Sequence, residues 1–302
     1  MAGRKASGKT VERVQAPPPS HWVGDGFHVR SVFSYDDDPQ ATSPFLLLDY
    51  GAPMAFEPTT DRRGVGPHPH RGFETVTVAF QGEVEHRDSV GNHGRIGPGD
   101  VQWMTAASGI LHEELQGRDF GRRGGTFEMA QVCVNLPAAL KMSRPGYQDI
   151  LDAKIPVVTL PKGAGSVRVI AGECLGTRGP ARTHTPVEMW DVRIPAGKTA
   201  DLSLPDGHTS LLLVRRGPVV VNDSPPVPNE HLVVLSRAGE TFRVRAEEDA
   251  ALLVLGGEPI PEPVVGRGPF VMNTWEEISR AIHDFEAGRM GTLRSSMETG
   301  DG

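Results

Sequence analysis

Apolar and polar residues alternate along residues 73–80: Val76, Val78 and Phe80 share one parity, Thr75 and Thr77 the other. A period of two is the mark of a half-buried strand. Gln81-Gly82 ends it, and residues 83–87 return as a second strand. Short runs of the same kind recur at residues 27–32, 45–50, 101–104 and 109–115. Beyond residue 166 they recur at 167–170, 189–194, 210–214, 219–221, 231–235, 242–244 and 251–255. Turn formers separate them, among them residues 36–39 (three Asp and a Pro), 91–94 and Pro98-Gly99-Asp100. Short strands at this spacing predict an all-β sandwich or barrel. Two such modules are expected, joined by residues 147–165, of which 156–162 suit an extended linker or an edge strand.

One helix is signalled. Thr274-Trp275-Glu276-Glu277 fits a capping box, and Gly288 suits the stop. Trp275, Ile278, Ile282 and Phe285 recur at helical spacing and predict a face docked on the core. Residues 1–19 are polar and basic and end in three prolines, which predicts a disordered tail; residues 292–302 predict a second flexible one. The expected organisation is therefore a first module over 20–150, a second over 151–265, and a helix-bearing segment over 266–291.

Composition narrows the class. Of 302 residues, 36 are Gly and 26 are Pro. That is about a fifth of the chain, where ~12% is average. Such residues cost ~1 and ~3 kcal/mol each inside helices, which argues against a helical bundle. The net charge of −7 gives no global basic field for nucleic acid. No apolar stretch is long enough to span a membrane, and no secretory signal pattern opens the chain. Two cysteines, Cys133 and Cys174, make no disulfide framework and read as small buried hydrophobes. The expectation is an intracellular, cytoplasmic protein.

Candidate chemistry concentrates between residues 68 and 114. Five of the eleven histidines lie there: His68, His70, His86, His93 and His112. In a strand, residues i and i+2 share a face. His68 and His70 therefore point one way, as do His112 and Glu114, with Glu113 opposite and exposed or salt-bridged. Continuing even parity from His70 reaches Glu74, Val76 and Val78, which predicts a histidine-rich mouth backed by an apolar wall. Three imidazoles and one carboxylate would leave one or two open positions on a six-coordinate ion. His86 and His93 fall in hairpin regions and read as turn or surface residues. Trp103 reads as packing.

The segments His68-Pro69-His70-Arg71-Gly72-Phe73-Glu74, residues 82–89, residues 96–105 and residues 108–114 resemble pirins, a branch of the cupins. So do Val134-Asn135-Leu136-Pro137, Met142 with Tyr147-Gln148-Asp149, and residues 268–274. The resemblance covers roughly residues 20–291. It implies a bicupin fold: two stacked, jelly-roll-like β-barrels with a short C-terminal helix. It also implies one iron in the first barrel, held by His68, His70, His112 and Glu114, with Glu74 beside the metal or as a reserve ligand. The imidazole–carboxylate set suits one divalent ion, Fe(II) by resemblance, with Zn, Mn, Ni, Co or Cu as substitutes. Some pirins resemble quercetin 2,3-dioxygenases, which use O2 to open a flavonol ring and release carbon monoxide. Glu114 is then the candidate base. Others are redox-sensing partners of transcription factors or metabolic enzymes. The implied partners are thus a flavonol-like substrate with O2, or a regulatory protein.

The second module differs at the matching positions. Arg182-Thr183-His184 with Glu188 aligns with His68-Pro69-His70 and Glu74, and Ala238-Gly239-Glu240 with Pro98-Gly99-Asp100. Arg182 replaces the first histidine, and Leu252 and Val254 stand where His112 and Glu114 would be. An arginine there would repel a dication. The second barrel is expected to be metal-free.

Overall fold

The protein is described by a computed structural model covering residues 7–293; the outermost ends, including most of the predicted C-terminal tail, lie outside the described residues. Two compact units emerge. One contains Ser20–Pro39, Phe45–Leu151 and the chain from Ile260 onward; the other contains the N-terminal segment through Pro19, Gln40–Pro44 and Asp152–Pro259.

In the first unit, a seven-stranded antiparallel sheet runs in the order Gly146–Ile150, Val101–Thr105, Phe73–Gln81, Gly125–Asn135, Phe45–Phe56, Phe27–Ser34, His21–Val23. A four-stranded sheet runs Gly64–His70, Ile110–Gln116, Val84–Asp88, His93–Ile96. Phe27, Val29, Ala79 and Met129 of the first sheet pack with Val84 and Ile96 of the second, so the core lies between the two. The helix Trp275–Glu286 begins with the predicted capping box: Thr274 Oγ1 accepts from Glu277 N, and Glu277 Oε2 accepts from Thr274 N. Its buried side differs from the expected stripe. Ile278 and Ala281 are fully buried, whereas Trp275 and Phe285 are largely exposed. Ile282 is half-buried against the same cluster, so the docked face is narrower than the apolar stripe and is centred on Ile278 and Ala281.

The other unit repeats the plan. Its seven-stranded sheet runs Val11–Gln15, Leu232–Leu235, Thr209–Arg216, Ala250–Gly257, Val187–Ile194, Ser166–Ala171, Val157–Thr159. A three-stranded sheet, Thr199–Ser203, Thr241–Ala246, Val219–Val221, faces it across a core that includes Trp190, Leu212, Leu252, Val254, Phe242 and Val244. The expected alignment of the two modules is corrected by this topology. The counterpart of Ile110–Gln116 at the centre of the smaller sheet is Thr241–Ala246, whose Phe242 and Val244 face the core. Leu252 and Val254 lie instead on the seven-stranded sheet, and Arg182-Thr183-His184 lies in no strand. The turn Ala238-Gly239-Glu240 leads directly into the counterpart strand, while Pro98-Gly99-Asp100 precedes the strand before it, so a fixed count from the two turns reaches different strands.

The N-terminal segment corrects one expectation. Within residues 1–19, Val11–Gln15 is a strand and not a loose tail. It pairs antiparallel with Leu232–Leu235, and the Lys9 ammonium donates to the carbonyls of Ser236 (3.2 Å) and Arg237 (3.0 Å). Composition misses this because an added edge strand is held by main-chain hydrogen bonds, which need no apolar side chains. The 156–162 stretch is an edge strand at Val157–Thr159.

Candidate metal centre

The four-stranded sheet carries the histidines. Gly64–His70 pairs antiparallel with Ile110–Gln116, so that His112 lies opposite His68. The rings of His68, His70 and His112 sit 4.2–4.8 Å apart between centroids. One ring nitrogen from each lies within 4.8 Å of the others. A second group, His86, His112 and Glu114, meets the same limit and shares His112.

Hydrogen bonding decides which nitrogens face the centre. His68 Nδ1 lies 2.8 Å from Gly66 O, and His70 Nδ1 lies 3.4 Å from Pro269 O. A carbonyl only accepts, so both rings carry Nδ1–H and keep an Nε2 lone pair. His112 Nε2 is buried and has no hydrogen-bond partner. An orphaned, buried imidazole nitrogen beside two others is what a divalent metal would satisfy. The donor set therefore fits such an ion.

Electrostatics agree. Burial, and then neighbouring His68, lowers the His70 imidazole to about 3. Burial, reinforced by His70, His68 and His86, holds His112 well below the usual imidazole range. Both rings are neutral at physiological pH, the state a metal ligand requires.

Glu114 is oriented from the facing sheet. Thr77 Oγ1 donates to its Oε1 at 3.0 Å, and Gln102 Nε2 donates to the same oxygen at 2.8 Å. Thr77 also lies 2.6 Å from the Gln131 amide oxygen, and its single hydroxyl proton serves one of these two acceptors at a time. Cross-strand register extends this into a polar row, Asp49 to Gln131 to Thr77 to Gln102. Asp49, Gln131 and Thr77 of this row form one wall of a cavity of about 430 Å³ that opens beside His68, His70 and Glu114. Its apolar lining includes Val23, Phe27, Val29, Val65, Val84 and Met129. Asp49 is half-buried there, and this desolvation raises its carboxyl, while a hydrogen bond from Ser31 (2.5 Å) partly offsets the shift.

Two expectations are corrected. Glu74 is not on the histidine side. It accepts from Thr105 Oγ1 at 2.7 Å, and it is Thr75 and Thr77 that line the cavity. Even parity does not carry past His70, because the chain turns at Arg71-Gly72, where Gly72 has φ of +92°, and re-enters the other sheet. A Cβ at Gly72 would also meet Val271 O at 1.9 Å. His86 is likewise not a surface residue. It lies inside Val84–Asp88, 3% exposed, its ring stacked on Tyr147 at 4.8 Å and 15°. The period-two pattern Val84, His86, Asp88 was the available signal: all three are buried on one face. Glu113 pairs with Arg87, as its parity predicts, and His93 is exposed. Cys133 and Cys174 are buried free thiols, and burial pushes both above the usual thiol range. Trp103 is fully buried.

The Pirin family model matches residues 26–134, and the model of the Pirin C-terminal cupin domain matches residues 189–291. The chain belongs to the pirin family. Among its relatives is a Pseudomonas aeruginosa protein named "Putative quercetin 2,3-dioxygenase PA2418", 57% identical over 89% of this chain and 94% of that one. Human "Pirin" is 36% identical over 83% of this chain and 84% of its own. A crystal structure of "Quercetin 2,3-dioxygenase from Acinetobacter baumannii" is 49% identical, covers 95% of this chain and 100% of that one, and superposes with a TM-score of 0.92. The two sandwich units are thus the bicupin fold of pirins, with the histidine cluster in the first. Among the described residues no helix is long and apolar enough to cross a membrane.

Proposed function

We propose that this pirin is a quercetin 2,3-dioxygenase-type oxygenase with one divalent iron in the first cupin unit. The observation that carries the reading is the meeting of three imidazole nitrogens with an apolar cavity, Glu114 on its wall. About 430 Å³ falls within the ~300–1,000 Å³ typical of small-molecule sites. The names of the relatives at 57% and 49% identity support the same substrate class.

His68, His70 and His112 would hold the ion, with Glu114 as fourth ligand. Iron there supplies Lewis acidity toward an enol oxygen and one-electron exchange with O2. The remaining work belongs to the chain. Glu114 is held at Oε1 by Thr77 and Gln102, which leaves Oε2 to ligate the ion or, once shifted off it, to accept the hydroxyl proton of a flavonol. The apolar walls exclude water and sandwich flat aromatic rings. Asp49 and Gln131 offer polar contacts to hydroxyls on those rings. The net reaction joins O2 to the flavonol, opens its central ring and releases carbon monoxide.

The test loads the protein with Fe(II) without oxygen, adds quercetin, then admits O2 and follows the flavonol absorbance. Bleaching is expected in the wild type and lost in His70→Ala. Unchanged turnover in Glu114→Ala would remove the base role. No bleaching by protein with one bound iron would exclude quercetin as a substrate.

A further inference from the structure

His86 and Asp88 are not accounted for by the metal ligands. The Asp88 carboxylate accepts from Val90 N (3.1 Å), Asn92 N (2.9 Å) and Asn92 Nδ2 (2.8 Å) in the tight turn that follows its strand. Two of these donors are main-chain N–H groups, so Asp88 serves as an acceptor. His86 Nε2 lies 3.3 Å from Asp88 Oδ2, and so must be the donor in that pair. A neutral His86 then has an unprotonated Nδ1. That atom lies 3.4 Å from His112 Nδ1. Between the two, His112 supplies the proton. His112 thereby carries Nδ1–H, and its Nε2 lone pair is the orphaned atom beside His68 and His70.

We propose that the pair Asp88–His86 is a positioning device that fixes His112 as the Nδ1–H tautomer and so aims its Nε2 lone pair at the metal. His68 and His70 get the same tautomer from backbone carbonyls. Among the described residues no backbone carbonyl meets the His112 ring, and a side-chain relay takes that place. Tyr147 holds the relay still. Its ring stacks on His86, and its hydroxyl reaches Gln102 Oε1 at 3.1 Å, whose amide in turn holds Glu114. Gly94 makes room for that hydroxyl: a Cβ there would come within 2.1 Å of it. One tyrosine thus braces the partners of two candidate ligands. Outer partners of this kind change metal affinity by ~10–100-fold when removed.

The inference rests on reading the histidine cluster as a metal site, and the test separates the two. Histidine-labelled, metal-free protein is examined by long-range ¹⁵N–¹H NMR, and Zn(II) affinity is measured by competition with a chelator. Wild type should show Nδ1–H at His112 and Nε2–H at His86. Asp88→Asn can donate to His86 Nε2, which would invert both tautomers, and Zn(II) affinity should fall ~10–100-fold. His86→Phe keeps a ring against Tyr147 but removes the acceptor, with a similar fall. His86→Asn puts an oxygen near the Nδ1 position and should stay within threefold of wild type. Metal-free thermal unfolding of each variant checks folding. An Nε2–H tautomer at His112 in wild type would overturn the relay. So would His86→Asn binding as weakly as His86→Phe, which would make His86 itself a ligand. If wild type binds no Zn(II) or Fe(II) while His112 shows Nδ1–H, the metal reading fails and the relay stands.

Discussion

Thr77 Oγ1 lies 3.0 Å from Glu114 Oε1, joining the seven-stranded sheet to the four-stranded one across the cavity. The contact sets the direction of a carboxylate that would otherwise swing into the open space. Hydrogen bonds to a charged group are worth ~1.5–3 kcal/mol. Thr77→Val, which keeps the shape and removes the donor, should weaken metal binding about tenfold, since Gln102 still holds the same oxygen. Thr77→Ser should retain most of it. Isothermal titration with Zn(II) into both variants checks the expectation; equal affinities would show that Gln102 alone suffices.

Metal removal should be visible in stability. An ion that binds only the folded chain adds ~2.7 kcal/mol at a hundredfold excess over its Kd. Thermal unfolding with and without chelator should show a Tm rise on adding Zn(II) or Fe(II). His112→Ala should unfold at one temperature whatever the metal, because it removes the residue common to both ligand groups. A variant that kept the full shift would place the ion elsewhere.

Lys141 is a structural cation. Its ammonium is buried and donates to Gly72 O (2.7 Å), Asn135 Oδ1 (2.6 Å) and Val271 O (3.0 Å), pinning the turn that ends the histidine strand. Lys141→Met leaves three acceptors unsatisfied and should cost ~3–5 kcal/mol in urea unfolding. Burial lowers the ammonium from 10.5 to about 7. Above pH 7 the unfolded chain holds a proton that the folded chain has released, so this group makes stability rise with pH up to 10.5. Below pH 7 both states are protonated and the effect is flat. The deficit of Lys141→Met relative to wild type should therefore grow between pH 7 and 9, by at most ~1.4 kcal/mol per pH unit. A constant deficit would mean that the three acceptors keep the ammonium charged throughout.

Deleting residues 1–19 should destabilise the second unit. It removes the strand Val11–Gln15 and the Lys9 anchor and bares the edge of Leu232–Leu235. A loss of about 2 kcal/mol, seen as a Tm lower by ~4–8 °C, is expected together with concentration-dependent aggregation. An unchanged Tm would show that the added strand carries no stability.

The period-two pattern made most strands legible, because alternation reports burial on one face of one strand. It paired His68 with His70 and His112 with Glu114, and it put Glu113 on the other side, where it meets Arg87. It failed at Arg71-Gly72. Parity is a property of an unbroken strand, and a glycine at φ of +92° resets it, so Thr75 and Thr77 face the cavity and Glu74 does not.

What the sequence determined by itself was the all-β class, the capped helix and the short-range spacing of the candidate ligands, since each depends on residues a few positions apart. The tertiary structure decided which long-range neighbours meet. Thr77 and Gln102 on Glu114, Asp88 through His86 on His112, and residues 11–15 against 232–235 are separated by 12 to more than 200 residues. No local pattern encodes such pairs. They arise only when two sheets close over a common core and place the side chains of separate strands within hydrogen-bonding reach.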